Sequence, residues 1–372
     1  MIPRFVTLAS LLLMVASVTA AGDWPLHRGN AVQTGVTDEK LPDKLAVRWE
    51  FKTKDTIEAT PIIVDGVVYI GSYDKAFYAI DLKTGLEKWK AQLSDAKRGA
   101  PIKAPAGYKD GRIYVGDADG KVYCLDAAKG SVLWTFDDDM QTGEITAAPN
   151  FAGDLILIPT HNSSLYAISK EGKKVWEFKI EGPIYGGVAV ADGYTFLAGC
   201  DSLMHVIDVK DGKELGNVDL KGQCGSAAAV LGDRLYVGTM SNQVLSVNVK
   251  KLKVEWEFES QKRKQAFYGS AAVTNDLVII GSRDNKVWAI DRKTGKERWS
   301  FITDNKVDAS PVVAGNKVYV GSFDKKLYVL DLKGQKVEDF ELDSAILGSP
   351  AVADGCVVVG SEKGTLYCFG AK

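Results

Sequence analysis

A segment of the form Val-Tyr-Val-Gly-Ser followed by Asp-Lys-x-Leu-Tyr-x-Leu-Asp recurs along the chain, complete at Val318 to Asp331 and slightly varied at Val68 to Asp81. Self-similarity at a regular spacing constrains the fold more than any other feature, because each copy must be one supersecondary unit that buries its apolar face against its neighbours. The glycine position of the segment falls at Gly71, Gly116, Pro159, Gly199, Gly238, Gly281, Gly321 and Gly360, at intervals of 45, 43, 40, 39, 43, 40 and 39 residues.

Each unit carries apolar or alternating runs such as Ser310 to Val313, Lys317 to Val320 and Lys326 to Leu330, and a fourth that often ends in Trp-x-Phe. Short β-branched and aromatic runs broken by Gly, Asp and Asn read as antiparallel strands. Asp-Gly at Asp65, Asp192 and Asp354 and Gly-Asn at Gly315 supply the first hairpin turn, where positive φ favours Gly or Asn. Four strands per repeat of about 40 residues fit radial blades better than a solenoid. The last unit stops three residues after Phe369, without a fourth strand, while an unmatched Val47-Arg48-Trp49-Glu50-Phe51 precedes the first unit and resembles Val175-Trp176-Glu177-Phe178. The expected fold is all-β: an eight-bladed β-propeller of four-stranded antiparallel blades, the last closed by an N-terminal strand that removes an exposed sheet edge.

One domain of 372 residues is consistent with this repeat, and 46% hydrophobic with 25% charged residues leaves ample material for a core. Residues 1–21 read as a secretory leader: Arg4, an apolar run from Phe5 to Val18, then small residues ending at Ala20 and Ala21. That run is too short for a membrane anchor. No cysteine occurs before Cys124, so none follows the leader to accept lipid. Cleavage changes the formal charge from −2 to −3, which offers no general attraction for nucleic acid. The divisions are therefore a leader over 1–21, an N-terminal extension over 22–44 and the propeller over 45–372, in a periplasmic or secreted monomer without membrane insertion.

At Ala79-Ile80-Asp81-Leu82-Lys83-Thr84-Gly85-Leu86-Glu87-Lys88-Trp89 the chain resembles the A-x-D-x-x-T-G-x-x-x-W docking motif of pyrroloquinoline-quinone-type (PQQ-like) propellers. A second full match runs from Ala289 through Asp291, Thr294 and Gly295 to Trp299, with partial forms that include Asp126, Trp134 and Trp176. In physical terms the Asp closes the turn, the Gly takes a left-handed conformation and the indole fills the gap between blades. Trp89, Trp134, Trp176, Trp256 and Trp299 are therefore expected as staples. Units four and five depart most: Leu215 stands in the region where a Trp would dock, and Asn248 replaces the Asp. Asp23-Trp24-Pro25-Leu26-His27-Arg28-Gly29-Asn30 looks like the opening of secreted PQQ-repeat proteins and is expected to lie across the propeller.

The resemblance implies a fold shared by quinone-dependent alcohol dehydrogenases, by the propeller subunit of the outer-membrane protein assembly machinery and by many secreted proteins of unassigned role; fold alone does not choose. Such dehydrogenases use PQQ, calcium, an aspartate base and usually adjacent cysteines, whereas Cys124, Cys200, Cys224, Cys356 and Cys368 are separated in this sequence. The residues aligned at the channel mouth are Glu58, Ile102, Thr146, Tyr185 or Gly186, Cys224, Tyr268, Asp308 and Leu347. Glu58 and Asp308 are the carboxylates among them and the weak candidates for calcium, which needs six to eight oxygens. His27, His161 and His205 lack zinc-ligand spacing. No Gly-x-Ser-x-Gly elbow appears. Cys124 and Cys368 read as buried thiols, and Cys200 with Cys224 as a possible disulfide between blades. The Asn162-Ser163-Ser164 sequon reads as a turn.

Three loops from a fourth strand to the next first strand are long or charged: Asp95 to Lys103, Asp137 to Glu144, and Gln261 to Tyr268. The third places Lys262, Arg263 and Lys264 beside Phe267 and Tyr268, a mixture suited to an interface. The function expected is that of a non-enzymatic binding or scaffold protein without cofactor or metal, possible in envelope protein assembly. Its partner would be another envelope protein or a saccharide. A PQQ-dependent oxidoreductase and a carbohydrate-binding propeller are the alternatives.

Overall fold

A computed structural model describes residues 22–94, 99–138, 142–261 and 263–372. The expected leader, Lys262 and parts of two of the charged loops lie outside these residues. Eight four-stranded antiparallel blades form the ring of an eight-bladed propeller, and Val36–Thr37 adds a short parallel strand to the inner edge of blade seven. Blade one shows the pattern, with strands Ile62–Val64, Val67–Gly71, Ala76–Asp81 and Glu87–Gln92. The first three are buried because both faces of each blade pack on neighbouring blades; the fourth, on the outer rim, alternates with solvent. Blade eight takes its fourth strand, Leu45–Lys52, from the N-terminal side, paired antiparallel with Thr365–Ala371 from Leu45 opposite Ala371 to Lys52 opposite Thr365.

The repeated glycine at the end of the second strand has a packing cause. A Cβ on Gly71 would stand 2.3 Å from Cγ2 of Ile102, the residue that enters the next blade, and Gly116, Gly321 and Gly360 meet Ile145, Ile346 and Ile57 at 2.2 to 2.3 Å. Each glycine is thus the socket for an apolar plug at the start of the next blade, and these plugs are completely buried.

The docking motif works at the outer rim. Asp81 accepts from the backbone N–H and the hydroxyl of Thr84, both at 2.8 Å, and these bonds hold its carboxyl below the usual range. Asp291 does the same with Thr294, and Asp126 accepts from the N–H groups of Ala128 and Lys129. The turn glycine, Gly85 at φ 73°, lies so close under Trp49 of the preceding blade that a Cβ would stand 2.6 Å from its Cγ. Trp89 lies on Gly130, Trp134 on Gly172, Trp176 on Gly212, Trp256 on Gly295 and Trp299 on Gly334. Each indole N–H donates to a carbonyl of the next blade, as from Trp89 to Ala127 at 3.0 Å and from Trp299 to Leu332 at 2.9 Å.

Residues 22–39 form a strap that contacts every blade in turn. Trp24 exchanges two backbone bonds with Ile63 of blade one, at 2.7 and 3.0 Å. Carbonyls of Pro25, Val32, Thr34 and Gly35 then accept from first-strand N–H groups of Tyr108, Val230, Val273 and Val313 at 2.8 to 2.9 Å, and that of Ala31 accepts from both Asn150 and Val190. Glu39 accepts from the Gly355 N–H of blade eight. Innermost strands have one unpaired edge, and the strap satisfies part of it. Arg28, fully buried in the strap, donates to the carbonyls of Ala271, Ser310 and Pro311.

Candidate functional site: the channel mouth

Residues one place beyond the buried plugs turn into the channel. Glu58, Lys103, Thr146, Tyr185, Tyr268, Asp308 and Leu347 line a cavity of about 360 Å3, with Gly225 at the blade-five position. This corrects the expected ring at two positions. Ile102 and Cys224 are plugs, fully buried, and Lys103 and Gly225 stand in their places.

Below this ring a second one joins the blades. Ala227 N–H donates to the Ser270 hydroxyl, Ser270 N–H to Ser310, Ser310 N–H to Ser349 and Ser349 N–H to Thr60, at 2.9 to 3.1 Å. Pro105, Ala148, Gly187 and Ala227 have no hydroxyl to accept the same bond, so half of the ring is stitched in this way. His27 of the strap contributes to the lining from beneath.

Each carboxylate of the mouth is engaged by a neighbouring side chain. Tyr73 donates to Glu58. Lys103 donates to Glu144 at 2.6 Å, and His161 lies 3.4 Å from the other Glu144 oxygen and 2.7 Å from the Thr146 hydroxyl. Across the cavity Arg283 holds Asp308 with two bonds of 2.8 and 2.9 Å while stacking on Tyr268, 4.4 Å from the ring centre; Lys306 adds a third contact to Asp308 at 3.4 Å. Burial lowers the His161 pKa. Tyr73, His161 and Arg283 all sit two places past the strand-end glycine position; reading that offset across the repeats would have found them.

This donor arrangement does not suit calcium. Both Asp308 oxygens are engaged by cations, one Glu58 oxygen accepts from Tyr73, and a calcium ion would need several more oxygens. Among the described residues no group of three or more His, Cys, Asp or Glu is arranged to hold a metal.

Two further expectations change at the basic loop. Phe267 is a completely buried plug against Gly238 and Phe258 rather than an interface residue. Tyr268 is half-buried in the mouth, and Arg263 and Lys264 are exposed and form no salt bridge among the described residues. The five cysteines are free and buried. Cys200 reaches the Cys224 carbonyl, at 3.7 Å, from the neighbouring blade. Cys356 is hydrogen-bonded to the Cys368 thiol and lies 3.6 Å from Arg48 of the closing strand, and these contacts lower its pKa. The sequence spacing gave no hint of that pair.

A family model described as outer membrane protein assembly factor BamB matches residues 43–106, 93–179 and 161–372. The chain belongs to that family. BamB of Shewanella oneidensis is 22% identical, with 96% of this chain and 95% of the relative covered. The BamB structure from Moraxella catarrhalis superposes with a TM-score of 0.75 at 18% identity, covering 88% of this chain and 98% of that one. Quinohemoprotein alcohol dehydrogenase from Comamonas testosteroni superposes with a TM-score of 0.79 at 14% identity, covering 94% and 81%. At these identities the two structures show the shared fold alone.

The floor of the mouth predicts a pH effect. Burial first and Arg28 second hold the His27 imidazole down to about 3, from its ordinary 6.5. The unfolded chain therefore takes up a proton below pH 6.5 that the folded protein refuses. Stability from this residue is complete above 6.5 and is lost as pH falls from there toward 3. Urea midpoints measured from pH 7 to 4.5 should fall less steeply in His27→Gln than in the parent; identical acid limbs would assign the loss to other groups.

Proposed function

We propose that this protein is an exported, non-enzymatic, monomeric propeller that holds another envelope protein at its channel-mouth face during outer-membrane protein assembly. Periplasmic residence follows from the leader read in residues 1–21. The observation that carries the proposal is the match to an assembly factor over nearly the full length of both chains. The mouth supports it further: Glu144 and Asp308 are paired with cations of the mouth and Glu58 is bonded to Tyr73, whereas Arg263 and Lys264 remain exposed near the Tyr268–Arg283 stack in sequence. Exposed cations around a rigid aromatic suit a polar, acidic protein surface better than a saccharide.

Replacing Lys262, Arg263 and Lys264 by Glu should leave stability nearly unchanged, since exposed loop charges contribute little, within about 0.5 kcal/mol. The same variant, immobilised and exposed to envelope extract of the source organism, should lose the outer-membrane assembly proteins that the parent enriches. Equal enrichment by both would remove this face from the account. A PQQ-dependent oxidoreductase is the second reading, favoured by the superposition on the Comamonas testosteroni enzyme. The engaged oxygens of Asp308 weigh against it.

A further inference from the structure

One blade junction breaks the docking pattern from both sides. In the strand ladder Gly216 pairs with Val206 where Trp176 pairs with Ala167 and Trp299 with Ala289, so Gly216, rather than the neighbouring Leu215, occupies the tryptophan position of blade four. In blade five the turn position that is glycine elsewhere is Leu252, at φ 49°, a backbone region where a leucine is strained. A Cβ on Gly216 would stand 2.4 Å from Cδ1 of Leu252. Large and small residues have exchanged sides, and a leucine does not replace the area of an indole.

What remains between blades four and five is an open groove of about 330 Å3, lined by Tyr194, Phe196, Val206, Leu215, Val230 and Val249. Tyr194, Leu215 and Leu252 are 37%, 55% and 36% exposed, a cluster of large apolar side chains in water. The carbonyl of Val249 holds the place at which Leu82, Ala127, Lys170, Val209, Arg292 and Leu332 accept an indole N–H at six of the other seven junctions; the seventh, between blades seven and eight, has Glu338 in the tryptophan position. No side-chain donor reaches it among the described residues. At the groove's edge Lys250 pairs with Asp233 at 2.7 Å, while Asp192, exposed, forms no salt bridge among the described residues. The edge therefore carries one uncompensated negative charge.

We propose that this groove receives a tryptophan side chain from a partner protein, its indole N–H donating to the Val249 carbonyl and an adjacent basic residue facing Asp192. Six junctions of the same molecule show how an indole is held in this geometry, and the charge at the edge selects its neighbour. The groove lies at the end of the blades opposite the mouth. It is thus a second contact surface, and it stands or falls independently of the mouth.

The test uses the peptide acetyl-(5-fluoro-Trp)-Lys-amide, titrated with the mature protein and followed by fluorine NMR. A saturable shift is expected. The double substitution Gly216→Trp with Leu252→Gly restores the sister geometry and should abolish the shift, while Asp308→Asn at the mouth leaves it unchanged. Tyr194→Glu, on an exposed side chain, guards against misfolding of the double variant and should weaken binding about ten-fold or more, as expected for an aromatic anchor. Asp192→Asn should weaken it and remove its salt dependence. Absence of a saturable shift, or a shift equal in the parent and in Tyr194→Glu, would overturn the proposal.

Discussion

Trp49→Ala is expected to destabilise the propeller by about 3–5 kcal/mol, the range for truncating a buried tryptophan. Its indole is 9% exposed, lies against Gly85 and donates to the Leu82 carbonyl at 2.8 Å. The other docking tryptophans join blades that the chain already connects. Trp49 stands on the strand that joins the two ends of the ring, so losing it weakens the docking of blade eight on blade one and the closure of blade eight together. Urea unfolding should show a clearly larger loss for Trp49→Ala than for Trp134→Ala, whose indole is more exposed. Equal losses would mean that closure adds nothing to the docking contact.

Arg28→Ala should cost about 2–5 kcal/mol, because it leaves buried carbonyl groups without a donor, at roughly 1–3 kcal/mol each before relaxation. The guanidinium is fully buried and serves Ala271, Ser310 and Pro311 from one planar fork. Lysine cannot reproduce that fork, so Arg28→Lys should recover little of the loss. Freed of its central anchor, the strap over residues 22–39 should also become sensitive to proteolysis while the blades resist. A variant as stable and as protease-resistant as the parent would mean that the strap is held by its backbone bonds alone.

These two residues also mark what was legible in the sequence. Trp49 could be placed because Val47 to Phe51 copies the fourth strand of other units, and a repeat reports its own missing member. Ring closure, blade number and the docking turns at Asp81, Asp126 and Asp291 were legible for the same reason. Arg28 was not, because the strap occurs once and a single copy has no register to be read against. Phe267 looked like an interface aromatic beside a basic run; only its socket, Gly238, explains its burial. Arg283, which engages Asp308, lies 25 residues before it in sequence and on the preceding blade, so the pair exists only once blades six and seven pack together. Gly216 and Leu252 were hidden for a related reason, since their compensation crosses two blades and a bulge of one residue after Val206 shifts the register.

The central claim is that the channel mouth is satisfied by its own side chains and serves as a binding face rather than a quinone site. Calorimetric titration of the mature protein with PQQ, with and without Ca2+, tests it most directly. The account predicts no saturable heat in either condition, with Asp308 remaining bonded to Arg283. Saturable, calcium-dependent binding that is lost in Glu58→Gln or Asp308→Asn would contradict it and establish the mouth as a cofactor site.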